Sequence, residues 1–140
     1  MQYEVNINKY DLDLSGITTL TFEVKACQDA TIVMSNSDDG NSSMPMYQFI
    51  FCGWENEKSA IRKQDQGVEV NTLGVCKCDE YRSFWISGDL RIGKGLNVGI
   101  NVIAEWTDPD PFTIRSIGIY TWGGTGEWKV QLEGNIVFFS

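Results

Sequence analysis

Three short stretches of this sequence carry residue types that could do chemistry. The first is GWENEKSAIR, residues 53–62. Trp54 offers a flat apolar face there, and Asn56 and Arg62 offer directed hydrogen bonds. A sugar needs that combination: a ring for its C–H face and planar polar groups for its hydroxyls. The same residues also admit a purely structural reading. Asn56 would then hold a turn by an Asx-type bond, Arg62 would pair with a nearby carboxylate, and Trp54 would belong to the core.

The second stretch is EWTDPDPF, residues 105–112. Glu105, Asp108 and Asp110 lie close together, and Pro109 and Pro111 stiffen the loop. Oxygen ligands on a rigid loop suit calcium, and Asp38 and Asp39 of the polar stretch 35–45 would add more. An ion held this way can bind vicinal sugar hydroxyls. The spacing is not that of an EF-hand, and an ordinary solvated acidic loop accounts for it equally.

The third is TWGGTGEWKV, residues 121–130. Trp122 would stack on a ligand while Glu127 accepts from a hydroxyl, or Trp122 would pack over the turn. The glycines are not a phosphate loop. Such a loop needs Lys and then Ser or Thr, opening a helix. Glu127 and Trp128 follow here instead, so the glycines serve a tight turn between strands. In GDLRIGKG, residues 88–95, Lys94 sits between two glycines. This reads as a strand end and turn before it reads as an anion site.

Catalysis has little material. The chain has no histidine, so no Ser/His/Asp or Cys/His set can be assembled. Cys27 and Cys52 lie among apolar neighbours, where buried thiols are common. Cys76 and Cys78 form a C-x-C pair without zinc-site spacing. Disulfides would place the protein outside the cell, but spacing does not settle any pairing.

The net charge of −8 and isoelectric point near 4.4 leave no basic stripe for nucleic acid. No apolar run approaches the roughly 20 residues of a membrane span, so membrane insertion is not expected. No signal peptide is visible. That leaves a cytoplasmic chain or a mature secreted form.

The elements that must position these residues follow a period of two. Leu20, Phe22 and Val24 alternate with polar residues, as do Ile117, Ile119 and Thr121, and Trp128, Val130 and Leu132. Val98, Ile100, Val102, Ala104 and Trp106 are expected on one face of one strand. Such runs are half-buried strands, rich in β-branched and aromatic residues. No window carries a helical stripe. The expectation is a single all-β domain over residues 1–140. It would be an antiparallel, jelly-roll-like β-sandwich of about ten short strands.

Four segments also occur in a familiar order: VKACQDATIVMS (24–35), FCGWENEKSAIRK (51–63), FWISGDLRIGKG (84–95) and GIYTWGGTGEWKV (118–130). Together they resemble the farnesoic acid O-methyltransferase-like domain of invertebrates. The GW-x-N-x-x-S-x-I-R hairpin is carried by Gly53, Trp54, Asn56, Ser59, Ile61 and Arg62. The closing WG-x-x-G-x-W is carried by Trp122, Gly123, Gly126 and Trp128. Cys52 stands where a second glycine is usual, and the Cys76–Cys78 pair is outside the pattern.

The family name implies an S-adenosylmethionine-dependent O-methyltransferase. The strand pattern points away from it, because such cofactors are commonly held at parallel strand ends beside a helix. The reading of choice is therefore a lectin-like, non-catalytic carbohydrate-binding module. Glycans are the expected partners, with calcium as the candidate cofactor. A homo-oligomer is expected, since sandwich modules associate through faces and edges.

Overall fold

The alternation becomes twelve strands in the computed structural model, which describes residues 2–6, 19–36, 45–122, 126–132 and 135–139. They are β1 (Gln2–Asn6), β2 (Thr19–Lys25), β3 (Ala30–Ser35), β4 (Met46–Cys52), β5 (Lys58–Lys63) and β6 (Gln66–Asn71). β7 (Arg82–Ser87), β8 (Arg91–Lys94), β9 (Val102–Glu105), β10 (Ser116–Trp122), β11 (Glu127–Leu132) and β12 (Asn135–Phe139) complete the set. A tight turn, Gly53–Asn56, whose Trp54, Glu55 and Asn56 are left-handed, joins β4 to β5.

Sheet A runs β1-β10-β3-β4-β5-β6, and sheet B runs β12-β11-β2-β7-β8-β9. Every neighbouring pair is antiparallel. The result is a β-sandwich made of two meanders, β3 to β6 and β7 to β9. Strand pairs β2/β3 and β10/β11 cross between the sheets.

The inner faces are those the alternation marked. Leu20, Phe22 and Val24 of β2 and Trp128 and Val130 of β11 are all buried. Phe22 touches rings from both sheets: Phe51 at 5.1 Å, Phe84 at 5.6 Å and Trp128 at 5.3 Å between centroids. Each such side chain stabilises the fold by about 1.5–3 kcal/mol through burial alone.

One expected strand is shorter than its pattern. Residues 98–101 do not continue β9 but fold as a turn over the outer face of sheet B. The cause is Trp85. Its indole N–H donates to the Ile100 carbonyl at 2.7 Å, so the turn roofs the ring. Gly93, its cross-strand neighbour, is obligatory beneath it: a Cβ there would lie 2.2 Å from the indole. Ile100 and Val102 are consequently exposed rather than inward.

The cysteines form two disulfides, Cys27–Cys78 and Cys52–Cys76. This corrects the expectation of buried thiols at Cys27 and Cys52. Cys27 follows β2 of sheet B and Cys52 ends β4 of sheet A, so the 76–78 segment staples one sheet to the other.

Candidate functional site

The β4–β5 connection is the most unusual backbone among the described residues. Trp54, Glu55 and Asn56 are consecutive left-handed residues, with φ of 52°, 61° and 65°, and Cys52 just before them is at 53°. L-residues visit this region singly, at roughly 1–2 kcal/mol each for most types, so three in a row need external support. The Cys52–Cys76 disulfide supplies part of it. Asn56 supplies the rest: its Nδ2 donates to the Cys76 carbonyl at 3.0 Å and its Oδ1 accepts from the Cys76 N–H at 3.2 Å. The Gly74 N–H also donates to the Asn56 carbonyl at 2.9 Å.

Asn56 thus holds the turn through the Cys76 backbone, using one donor and one acceptor of its amide. The bond is not the local Asx type, because its partner is twenty residues away.

Trp54 is lifted by this turn onto the outer face of sheet A, where it remains 38% exposed and is not part of the core. Lys58 and Arg62 flank its ring at 5.8 and 6.0 Å. Arg62 makes only a loose contact with Glu69, at 3.9 Å, and its guanidinium stays half-exposed. Beside the ring lies a groove of about 470 Å³ lined by Asp29, Thr31, Gln48, Ile50, Trp54 and Glu55. Its floor follows from strand register: Thr31 pairs with Ile50, and Gln48 with Arg62.

Sequence reasoning missed Asp29. It has a left-handed φ of 54°, its N–H donates to the Cys52 carbonyl at 2.8 Å, and its carboxylate accepts from the Trp54 N–H. Burial pushes its carboxyl above the usual range, partly opposed by that N–H. A half-buried carboxylate in a groove is a candidate ligand contact. The available signal was a polar residue in the short link between two apolar strands.

The Trp122 side chain lies outside the described residues. Its backbone follows Thr121, which pairs with Ala30, so the end of β10 runs beside the start of β3. Glu127 is elsewhere: it is exposed on β11 and paired with Lys25 at 3.3 Å. Trp54 and Arg62 come together; Glu127 does not join them.

Within the acidic loop one carboxylate is buried, while Glu105 and Asp110 are exposed. Asp108 is buried, and all its lone-pair positions are taken. Oδ2 accepts from the Tyr47 hydroxyl at 2.6 Å and from Lys63 Nζ at 3.0 Å. Oδ1 accepts from Lys63 at 3.3 Å and from the Asp110 N–H at 2.9 Å. A carboxylate offers about four such positions, and Asp108 uses them to anchor the loop to Tyr47 and Lys63. Desolvation would raise its carboxyl, but the Tyr47, Asp110 and Lys63 donors outweigh that and hold it below the usual range. Phe112 stacks on Tyr47 at 4.3 Å, completing the clamp.

Glu105 is exposed opposite Arg91, and Asp110 gives Lys63 its backbone carbonyl at 2.6 Å. Asp38 and Asp39 lie outside the described residues. Among the described residues no cluster of three potential metal ligands occurs.

A family model described as farnesoic acid O-methyl transferase matches residues 2–133. The chain belongs to this family. No curated protein matches it closely enough to count as a relative. In this family member the hairpin motif maps onto the Trp54 turn, with Ser59 buried beneath it and bonded to Thr72 at 2.7 Å. Its closing motif maps onto β10 and β11, where Trp128 is buried and donates to Thr121 at 3.1 Å.

Proposed function

We propose that this protein is a carbohydrate-binding module whose site is the Trp54 groove. The observation that carries the reading is the three-residue left-handed turn holding an exposed indole beside Asp29, Thr31 and Gln48. Strained backbone concentrates at functional sites, because stability alone gives no reason to keep it. The ring suits a sugar's C–H face, and the carboxylate, amide and hydroxyl suit its hydroxyls. Two disulfides fit an oxidising compartment, which is where glycans are displayed.

A glycan array, run with and without chelator, tests this. Binding should survive chelation, since the Asp108 carboxylate is already saturated. Trp54→Ala should weaken any hit by about 1–3 kcal/mol, the scale of a lost hot spot, with the melting temperature nearly unchanged. A folded protein that binds nothing on the array removes the proposal.

The family description favours a second reading, methyl transfer from S-adenosylmethionine. Among the described residues every strand pair is antiparallel and no parallel strand ends open onto a helix, the usual seat of that cofactor. Calorimetric titration with S-adenosylmethionine separates the two: saturable binding would favour the enzyme.

A further inference from the structure

The Trp54 groove is one part of a longer row across sheet A. Backbone register aligns Ala60 of β5, Ile50 of β4, Thr31 of β3 and Tyr120 of β10 over four neighbouring strands. Residues paired across antiparallel strands share a face. The row is on the outer face, because the adjacent Ile61, Phe49, Ile32 and Ile119 are in the core.

This row is low in the middle and aromatic at both ends. The Trp54 ring is flanked by Lys58 and Arg62 of β5, and Ala60 between them is fully buried, so the indole stands over β5. Ile50 and Thr31 floor the groove, with Gln48 beside them. Tyr120 stands one strand beyond Thr31, and its side chain is partly exposed. Its ring leans along β10 towards Gly118, where a Cβ would lie 3.2 Å from it. A side chain at 118 would crowd the ring off the sheet, whereas glycine lets it lie against the strand. From β5 to β10 is three strand spacings, about 14 Å, the length of about three pyranose rings.

From this we propose that the groove takes an oligosaccharide chain rather than a single sugar. The chain lies across the strands, with one unit on Trp54, the last on Tyr120, and Thr31 and Gln48 facing the hydroxyls between. This rests on the carbohydrate reading of the Trp54 groove. It adds Tyr120 as a residue that selects for chain length.

Calorimetric titration tests it. The probes are glucose, mannose, galactose and N-acetylglucosamine, each as the monosaccharide and as β-1,4-linked chains of increasing length. For the sugar that binds, affinity should rise about tenfold or more from one unit to three and then level off, as a second aromatic contact is engaged. Tyr120→Ala should weaken the three-unit probe about tenfold and flatten the length dependence, whereas Tyr120→Phe, which keeps the ring, should preserve it. Trp54→Ala should weaken every length. Should Tyr120→Ala fail to fold, Tyr120→Thr removes the ring with a residue suited to strands, and the wild-type length series decides by itself. Equal affinity for one and three units, with Trp54→Ala still weakening both, overturns this inference and leaves the carbohydrate reading standing. So does a length dependence that persists unchanged without the Tyr120 ring. Binding at no length by any probe removes the inference together with the reading on which it rests.

Discussion

Asn56 pairs with both the N–H and the carbonyl of Cys76, at 3.2 and 3.0 Å, as one strand pairs with another. A side chain here does the work of a backbone, and it does so at the end of a left-handed turn. Two effects are therefore combined in one residue, and mutation can separate them. Asn56→Ala should cost about 2–4 kcal/mol, from two hydrogen bonds and a poorer left-handed conformer. Asn56→Gly restores the conformer but not the bonds, so it should cost less. Urea unfolding of both variants measures the difference. Equal losses would show that the backbone conformation carries no cost.

Trp128 lies between Phe22 and Thr121 with no solvent exposure. Trp128→Ala should lose about 3–5 kcal/mol, the usual penalty for a large aromatic cavity. Thermal melts followed by near-ultraviolet circular dichroism would register it. A change of a degree or two would mean that the sandwich can collapse around the gap.

Stability should fall in acid because of Asp108. Its folded-state carboxyl is held below the ordinary value of 3.8. The unfolded chain therefore binds its proton first, and the stabilisation is fully present above that value. It disappears as pH falls through the lower, folded value. Unfolding free energies measured from neutral pH downward should show this slope. Asp108→Asn should be less stable at neutral pH and should show a flatter profile below the ordinary carboxyl value.

Reduction should expose how far the Trp54 turn depends on its covalent support. Each disulfide is expected to contribute about 2–4 kcal/mol. Replacing Cys52 and Cys76 by serine should lower the melting temperature and also blunt glycan binding. Replacing Cys27 and Cys78 should lower the melting temperature with a smaller effect on binding. Calorimetry on both pairs of variants compares the two outcomes.

How much of this was legible in the sequence depended on the range of the interaction. Alternation identified Leu20, Phe22, Val24, Trp128 and Val130 as inward, because one strand contains its own period. It failed at Val98 and Ile100, where a hydrogen bond from Trp85 folds the chain into a roof. Trp54 and Arg62 were read as neighbours, since eight residues on a hairpin return on themselves. The bonds of Asn56 to Cys76 were not legible, because the partner is twenty residues away. The burial of Asp108 was not legible either, because Tyr47 and Lys63 come from two other strands and no local pattern announces a buried carboxylate. The disulfide partners were beyond reach for the same reason: spacing does not fix pairing.

The Cys27–Cys78 link closes a ring over a separation of 51 residues, and the Cys52–Cys76 link is nested inside it. Strands β3, β4, β5 and β6 all lie within that ring, whereas β2 and β7 lie just outside it. A tension applied to the chain on either side of the ring would pass from Cys27 straight to Cys78. The load would peel β2 from β7 and β11, and it would reach the enclosed strands only across the ladder between β10 and β3. The stretch of chain that bears the Trp54 groove is thus bypassed covalently until a reductant opens the ring.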